Sequence, residues 1–187
     1  MSNISFTANL IKRTQVQKSE NYRDYYPSDV SIVELDKDDE EDVKSLYQTA
    51  VLWNYQGAKY ASDIFHEAIK GYEYDDVDRE HYFALTTQTK DFENLCPDKV
   101  LGLMLFSQTN NAEDEINWFQ VRPNTNTKQT WKREYKKIGE AMVNLLKGIY
   151  FEKPIHVQSV PESVGFYKKM EFQNRDDDGT CSLYLEV

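Results

Sequence analysis

Residues 160–172 read VPESVGFYKKMEF, and the fold is decided by how this stretch sits among its neighbours. Its pattern predicts a short helix over 161–170, with Pro161 in the first turn, where a missing backbone N–H costs nothing. Residues 154–159 (PIHVQS) just before it read as a short strand. Beyond it, Phe172 starts a last strand region and residues 182–187 (SLYLEV) close the chain as another strand. The turn between them carries Asp176, Asp177, Asp178 and Gly179.

Upstream, residues 138–150 place Ile138, Ala141, Met142, Leu145, Leu146 and Ile149 at helical spacing. A polar stretch and then a basic one, with Lys132, Arg133, Lys136 and Lys137, precede that helix. Three further strands are predicted: residues 81–87 (HYFALTT), 100–106 (VLGLMLF) and 115–121 (EINWFQV). Before them come two amphipathic helices. One carries Val43, Leu46, Tyr47, Ala50 and Val51, and the other runs from 58 to 72 with Ala61, Ile64, Phe65, Ala68 and Ile69 on one face. The acidic run 36–42 suits the positive end of the first helix dipole and reads as a helix start rather than a binding site. Residues 30–35 (VSIVEL) form the first regular strand. Residues 1–29 read as an N-terminal arm of the same domain, with Ile4, Phe6, Leu10 and Ile11 as a short strand or arm. In this arm Tyr22, Tyr25, Tyr26 and Pro27 read as an ordered loop. Residues 30–187 complete the domain.

The length of 187 residues suits one domain with a sizeable core. Apolar residues at 40% and charged residues at 29% argue against a disordered chain. The formal charge of −10 disfavours nucleic-acid binding, which needs a basic face. It suits a soluble surface or a cationic acceptor. Cys96 and Cys181 form no metal-ligating pattern, and neither do His66, His81 and His156. His156, in the strand before Tyr167, reads as a packed or surface side chain, with reach into a substrate cleft the alternative. No apolar run approaches the roughly 20 residues that span a bilayer, and the N-terminus does not read as a secretion signal. A cytoplasmic protein without membrane contact is expected.

The order strand, two helices, three strands, helix, strand, helix, strand resembles the GNAT superfamily of N-acetyltransferases. Relatives carry an Asn-Pro-x-Ala-x-x-Phe-Tyr-x-Lys-Leu-Gly-Phe segment, and here Pro161, Phe166, Tyr167, Lys169 and Phe172 fall in register. Val160, Ser163, Met170 and Glu171 stand where relatives have Asn, Ala, Leu and Gly. A second motif is the turn into the helix at Ile138. Relatives have Arg/Gln-x-x-Gly-x-Gly/Ala there. In this chain Gly139 matches the second glycine, Lys137 replaces the first, and Glu134 stands in place of Arg or Gln.

The resemblance implies an α/β fold (α+β), a GNAT-like acyl-coenzyme A N-acyltransferase with a mixed, mostly antiparallel, splayed sheet flanked by helices. It implies acetyl-CoA as the acyl donor, a primary amine on a small molecule or a protein as acceptor, and no metal. Arg133, Lys136, Lys137, Ile138, Gly139 and Glu140 would hold the pyrophosphate, and the backbone of Phe119, Gln120 and Val121 the pantetheine arm. Tyr167 would protonate the leaving thiolate, since a phenol is protonated at neutral pH. Glu115, six residues before Val121, matches the spacing of a general base in some relatives. Trp53, Tyr55 and Tyr60 read as core, with acceptor-pocket lining the alternative. Homodimers are common among relatives. The departures from the motifs leave a second reading open, an inactive GNAT-like protein that binds coenzyme A or serves as an acidic interaction module.

Overall fold

The computed structural model describes residues 8–70, 77–123, 133–175 and 181–187. Ile4, Phe6, Gly71, the stretch 124–132 and the acidic turn 176–180 lie outside these.

The chain runs β1 (Asn9–Lys18), β2 (Tyr26–Leu35), α1 (Glu40–Asn54), α2 (Tyr60–Lys70), β3 (Val77–Thr86), β4 (Val100–Thr109), β5 (Asp114–Val121), β6 (Tyr135–Lys136), α3 (Ile138–Ile149), β7 (Ile155–Gln158), α4 (Val164–Lys169) and β8 (Ser182–Leu185). Among the described residues the strands form one sheet in the order β6-β1-β2-β3-β4-β5-β7-β8. Only β5 and β7 run parallel; the other pairs are antiparallel. The result is the mixed, mostly antiparallel sheet flanked by helices that the sequence predicts.

Two cores cover the sheet. On one face, Ile138, Met142, Leu145 and Leu146 of α3 and Tyr167 of α4 pack on Ile32, Phe83, Met104 and Phe106. On the other, Leu46, Ala50 and Trp53 of α1 and Ala61 and Ile64 of α2 pack on Val33, Ala84, Leu103 and Leu105. Consecutive residues of β2, β3 and β4 thus point into opposite cores, which is why 100–106 reads as an unbroken apolar run.

Several boundaries differ from the sequence reading. Residues 9–18 are a full strand paired with β2, not an arm, and Tyr26 and Pro27 lie inside β2 rather than in a loop. β1 is polar because most of its side chains face solvent, so it lacks the apolar signal of a buried strand. The buried stripe of α1 is Asp42, Ser45, Leu46, Thr49, Ala50 and Trp53, which turns Tyr47 and Val51 outward. Ile69 is likewise exposed, and α2 spans only Tyr60–Lys70. Trp53 is core as predicted, Tyr55 is exposed, and Tyr60 packs on Trp118 with ring centroids 5.5 Å apart.

The acidic run does start α1. Asp39 caps the helix, accepting from the N–H groups of Glu41 and Asp42 at 3.0 and 3.1 Å. Asp42 is buried behind it. One of its oxygens accepts from the Asp36 N–H at 2.8 Å; the other has no partner among the described residues. Burial, with Asp39 and Asp36 nearby, pushes its carboxyl up to about 6. The folded chain therefore holds this proton more tightly than the unfolded chain, whose Asp titrates near 4. Stability from this group is present below about pH 4 and is lost as the pH rises through about 6, an effect of about 3 kcal/mol at most. Urea titrations across this range should show the fall in the native sequence, and the Asp42→Asn variant should lack it.

Candidate active site

The sheet opens between β5 and β7. Their parallel pairing joins Asp114, Glu115 and Ile116 to Ile155, His156 and Val157, and stops there. On its other side β5 stays paired with β4 as far as Val121. Among the described residues no strand pairs with the β7-facing edge of residues 117–121. The cause lies one residue past the last pair. Leu105 faces Trp118 but Phe106 faces Ile116, so Asn117 is an extra residue in β5. Such a bulge bends and twists its strand. The Ser107 hydroxyl fixes it by donating to Asn117 Oδ1 at 2.7 Å.

Phe119 and Val121 project to the α3 side of the opening and pack against that core. Gln120 turns back, its amide donating to the Val121 carbonyl at 2.8 Å. The start of α3 lies beside them. A Cβ added to Gly139 would stand 2.8 Å from Phe166 Cζ and 3.6 Å from Phe119, and one added to Gly102 would stand 3.0 Å from Ile138. These two glycines let α3 sit close on the sheet and on α4. The Ala141 N–H donates to the Lys137 carbonyl at 3.0 Å. The N–H groups of Ile138, Gly139 and Glu140 have no acceptor among the described residues, as at any uncapped helix start.

Lys137 precedes the helix with φ 67°, a left-handed conformation. Glu171, after α4, has φ 73°. Both positions favour glycine for that reason, since a Cβ there costs about 1–2 kcal/mol. Both are also the positions where the GNAT motifs carry glycine. The side chain of Glu171 is held from α3 by Lys147, whose ammonium keeps its carboxyl below the usual range.

The basic residues are spread. Arg133 has a buried Nε with no partner among the described residues, and its carbonyl accepts from the Tyr25 hydroxyl at 2.5 Å. Lys136 belongs to β6, paired with β1, and its ammonium lies 3.6 Å from the centroid of the Tyr25 ring. Lys137 and Glu140 are exposed. An open depression of about 310 Å³ lies elsewhere, between Arg13, Gln15, Asp29, Val30, Ser31 and Thr89. None of the predicted site residues lines it.

Tyr167 and Glu115 lie on opposite faces of the sheet. Tyr167 is buried in the α3 core between Phe166 and Phe172, at 5.0 and 5.3 Å between centroids. Its hydroxyl has no hydrogen-bond partner among the described residues, and burial alone pushes the phenol well above its ordinary value. Glu115 is half exposed on the α1 and α2 face, alongside His156, whose Nδ1 lies 3.4 Å from its Oε1. The sequence reading did not join these two. The signal was present in Ile155 and Val157, which are buried in the α3 core and so turn His156 to the face of Glu115.

No protein-family model and no curated protein matches the sequence. Among solved structures, the chain is similar to an acetyltransferase from Streptococcus agalactiae 2603, with a TM-score of 0.47 and 14% identity over 84% of this chain and 98% of that one.

Replacing Lys137 by Gly removes a Cβ from a left-handed residue while adding freedom to the unfolded chain. The balance favours the folded state by about 0.5–1 kcal/mol. Thermal unfolding of Lys137→Gly should therefore shift upward by about 1–4 °C, and a downward shift would contradict this account of the turn.

Proposed function

We propose that the chain is a GNAT-type N-acetyltransferase that moves an acetyl group from acetyl-CoA to a primary amine. The observation that carries this reading is the backbone at Lys137 and Glu171. Both keep the left-handed conformation that glycine serves in the family's motifs, although neither is glycine. At Glu171 the same conformation also closes α4, where the Phe172 N–H donates to the Tyr167 carbonyl at 3.1 Å, so it is the left-handed Lys137 ahead of α3 that bears on the donor.

The remaining geometry gives the reading its parts. Unsatisfied N–H groups at the start of α3 suit a pyrophosphate, helped by the positive end of the helix dipole. The Arg133 Nε, without a partner among the described residues, and the exposed Lys137 offer further charge for the same anion. The free edge of Phe119, Gln120 and Val121 suits the amides of a pantetheine arm, as a strand edge suits another strand. The thioester would then lie in the opening, reachable from both faces.

The reaction follows from that placement. The acceptor arrives on the face of Glu115, which takes a proton from its ammonium. The freed nitrogen lone pair attacks the thioester carbonyl carbon, the tetrahedral adduct gives the nitrogen's second proton to solvent, and the carbon–sulfur bond breaks with its electron pair on sulfur. Tyr167, kept protonated by burial, gives its proton to the thiolate and recovers one from solvent. Orientation of the two reactants supplies most of the rate.

Acetyl-CoA at 100 times its dissociation constant should add about 2.7 kcal/mol to the folded state, and so raise the melting temperature by several degrees. No shift at saturating acetyl-CoA would sink the proposal. In a thiol-release assay, Tyr167→Phe should lower kcat about 100-fold with little change in acetyl-CoA affinity.

A further inference from the structure

Glu115 does not stand alone on its face of the sheet. His156, one strand over, presents Nδ1 to Glu115 Oε1 at 3.4 Å and Nε2 to the Ser182 hydroxyl oxygen at 2.8 Å. Ser182 Oγ in turn lies 3.4 Å from the Tyr184 hydroxyl. The row crosses β5, β7 and β8, whose pairing puts His156 directly opposite both Glu115 and Tyr184. The Tyr184 ring stacks on the imidazole at 4.8 Å between centroids, and the Arg175 guanidinium lies 4.0 Å above that ring from the other side. Arg175 is itself held by Glu113 and Glu186.

This stack fixes the ring plane, and with it the aim of both nitrogens. Each nitrogen faces an oxygen that can accept a hydrogen bond. An imidazolium would find both its N–H groups matched, one by a carboxylate and one by a hydroxyl oxygen. The side chain keeps 20% of its surface open, against 47% for Glu115. Glu115 is thus the group that an acceptor can reach, and His156 is the one behind it.

We propose that His156 is the positioning and proton-accepting residue for Glu115, so that the two act as one base toward an amine acceptor. The inference rests on the acetyl-transfer reading. The acceptor's ammonium gives a proton to the Glu115 carboxylate, which passes it to His156 Nδ1. The amine nitrogen is left neutral with its lone pair free, and the positive charge moves to an imidazolium whose counter-ion is Glu115. Solvent then removes the proton. The groups facing His156 are Glu115 from β5 and Ser182 and Tyr184 from β8. Arg175, with Glu113 and Glu186, forms the layer beyond.

The test is thiol release from acetyl-CoA with spermidine, tyramine and a lysine-containing peptide as probes, using the full chain and its His156→Gln variant across pH 5 to 9. Glutamine keeps a polar side chain that can bond Glu115 and Ser182 but cannot carry the proton. The variant should lose roughly tenfold or more in kcat/KM at neutral pH. The acid limb of its profile should move, because the shared base has lost one of its two proton-holding sites. Acetyl-CoA affinity, read by thermal shift, should be unchanged. Added imidazole should restore part of the rate in His156→Gly. A His156→Gln variant with the native rate and the native limb overturns the proposal, as does one that loses rate and acetyl-CoA affinity together, which marks a purely structural role. A native chain that binds acetyl-CoA but releases no thiol with any of these amines removes the transfer reading, and the relay with it.

Discussion

Strand pairing between β5 and β7 ends at Ile116 and Val157, and the functional geometry depends on that ending. An unpaired edge in the middle of a sheet is costly, because its N–H and C=O groups sit away from water without partners. The extra residue Asn117 forces the break, and the hydroxyl of Ser107 keeps it in one conformation. Everything on either side compensates. Phe119 and Val121 fill one face of the opening and Trp118 packs toward the other core, against Tyr60. Among the described residues the backbone edge is left without a partner, and under the acetyl-transfer reading that edge receives the amides of the donor.

The start of α3 is tied to the same opening by close packing. Gly102 on β4 lets Ile138 and Met142 approach the sheet, and Gly139 lets Phe166 approach the helix. Neither position tolerates a larger side chain without movement of a packed neighbour. Two positions away the demand is different. Lys137 needs a left-handed backbone but has open surroundings, so a charged side chain is accommodated at a modest conformational cost. A lysine at a helix start is also unfavourable toward the dipole, and an anion held at the same N–H groups would reverse that sign.

Much of this was legible in the sequence, and the parts that were not have physical reasons. Strand β4 announces itself because burial on both faces makes residues 100–106 continuously apolar, and β2 and β3 do so through the β-branched and apolar residues of 30–35 and 81–87. The helix α3 and the segment from Pro161 to Phe172 do so through periodicity and the motif at Phe166 and Tyr167. β1 was missed as a regular strand because one side of it is solvent, and β6 because a two-residue strand leaves no period to read. The rotation of α1, which buries Asp42 and Thr49 while exposing Tyr47, is set by what the sheet offers and not by hydropathy. At the site, Phe166 of the motif packs against Gly139, Phe119 and Tyr167, three residues that the sequence names. The bulge at Asn117 and the left-handed turns at Lys137 and Glu171 carry no residue signature of their own. The union of Glu115 with His156 needs the register between two strands that are distant in sequence.

The placement of these groups on opposite faces has a chemical consequence. Tyr167 lies in a dry aromatic layer where burial holds its proton in place, and Glu115 lies on a wetter face where a charged acceptor can approach. Under the acetyl-transfer reading, were both groups on one face, the proton leaving the amine would be delivered beside the phenol that donates to sulfur, and the carboxylate would stabilise a cation where a thiolate forms. The opening beside β5 would then separate the two proton movements while letting a thioester be reached from both sides. The net charge of −10 fits the same division. Under the acetyl-transfer reading an acidic surface would draw a cationic amine toward Glu115, while Arg133, Lys136 and Lys137 would serve an anionic donor.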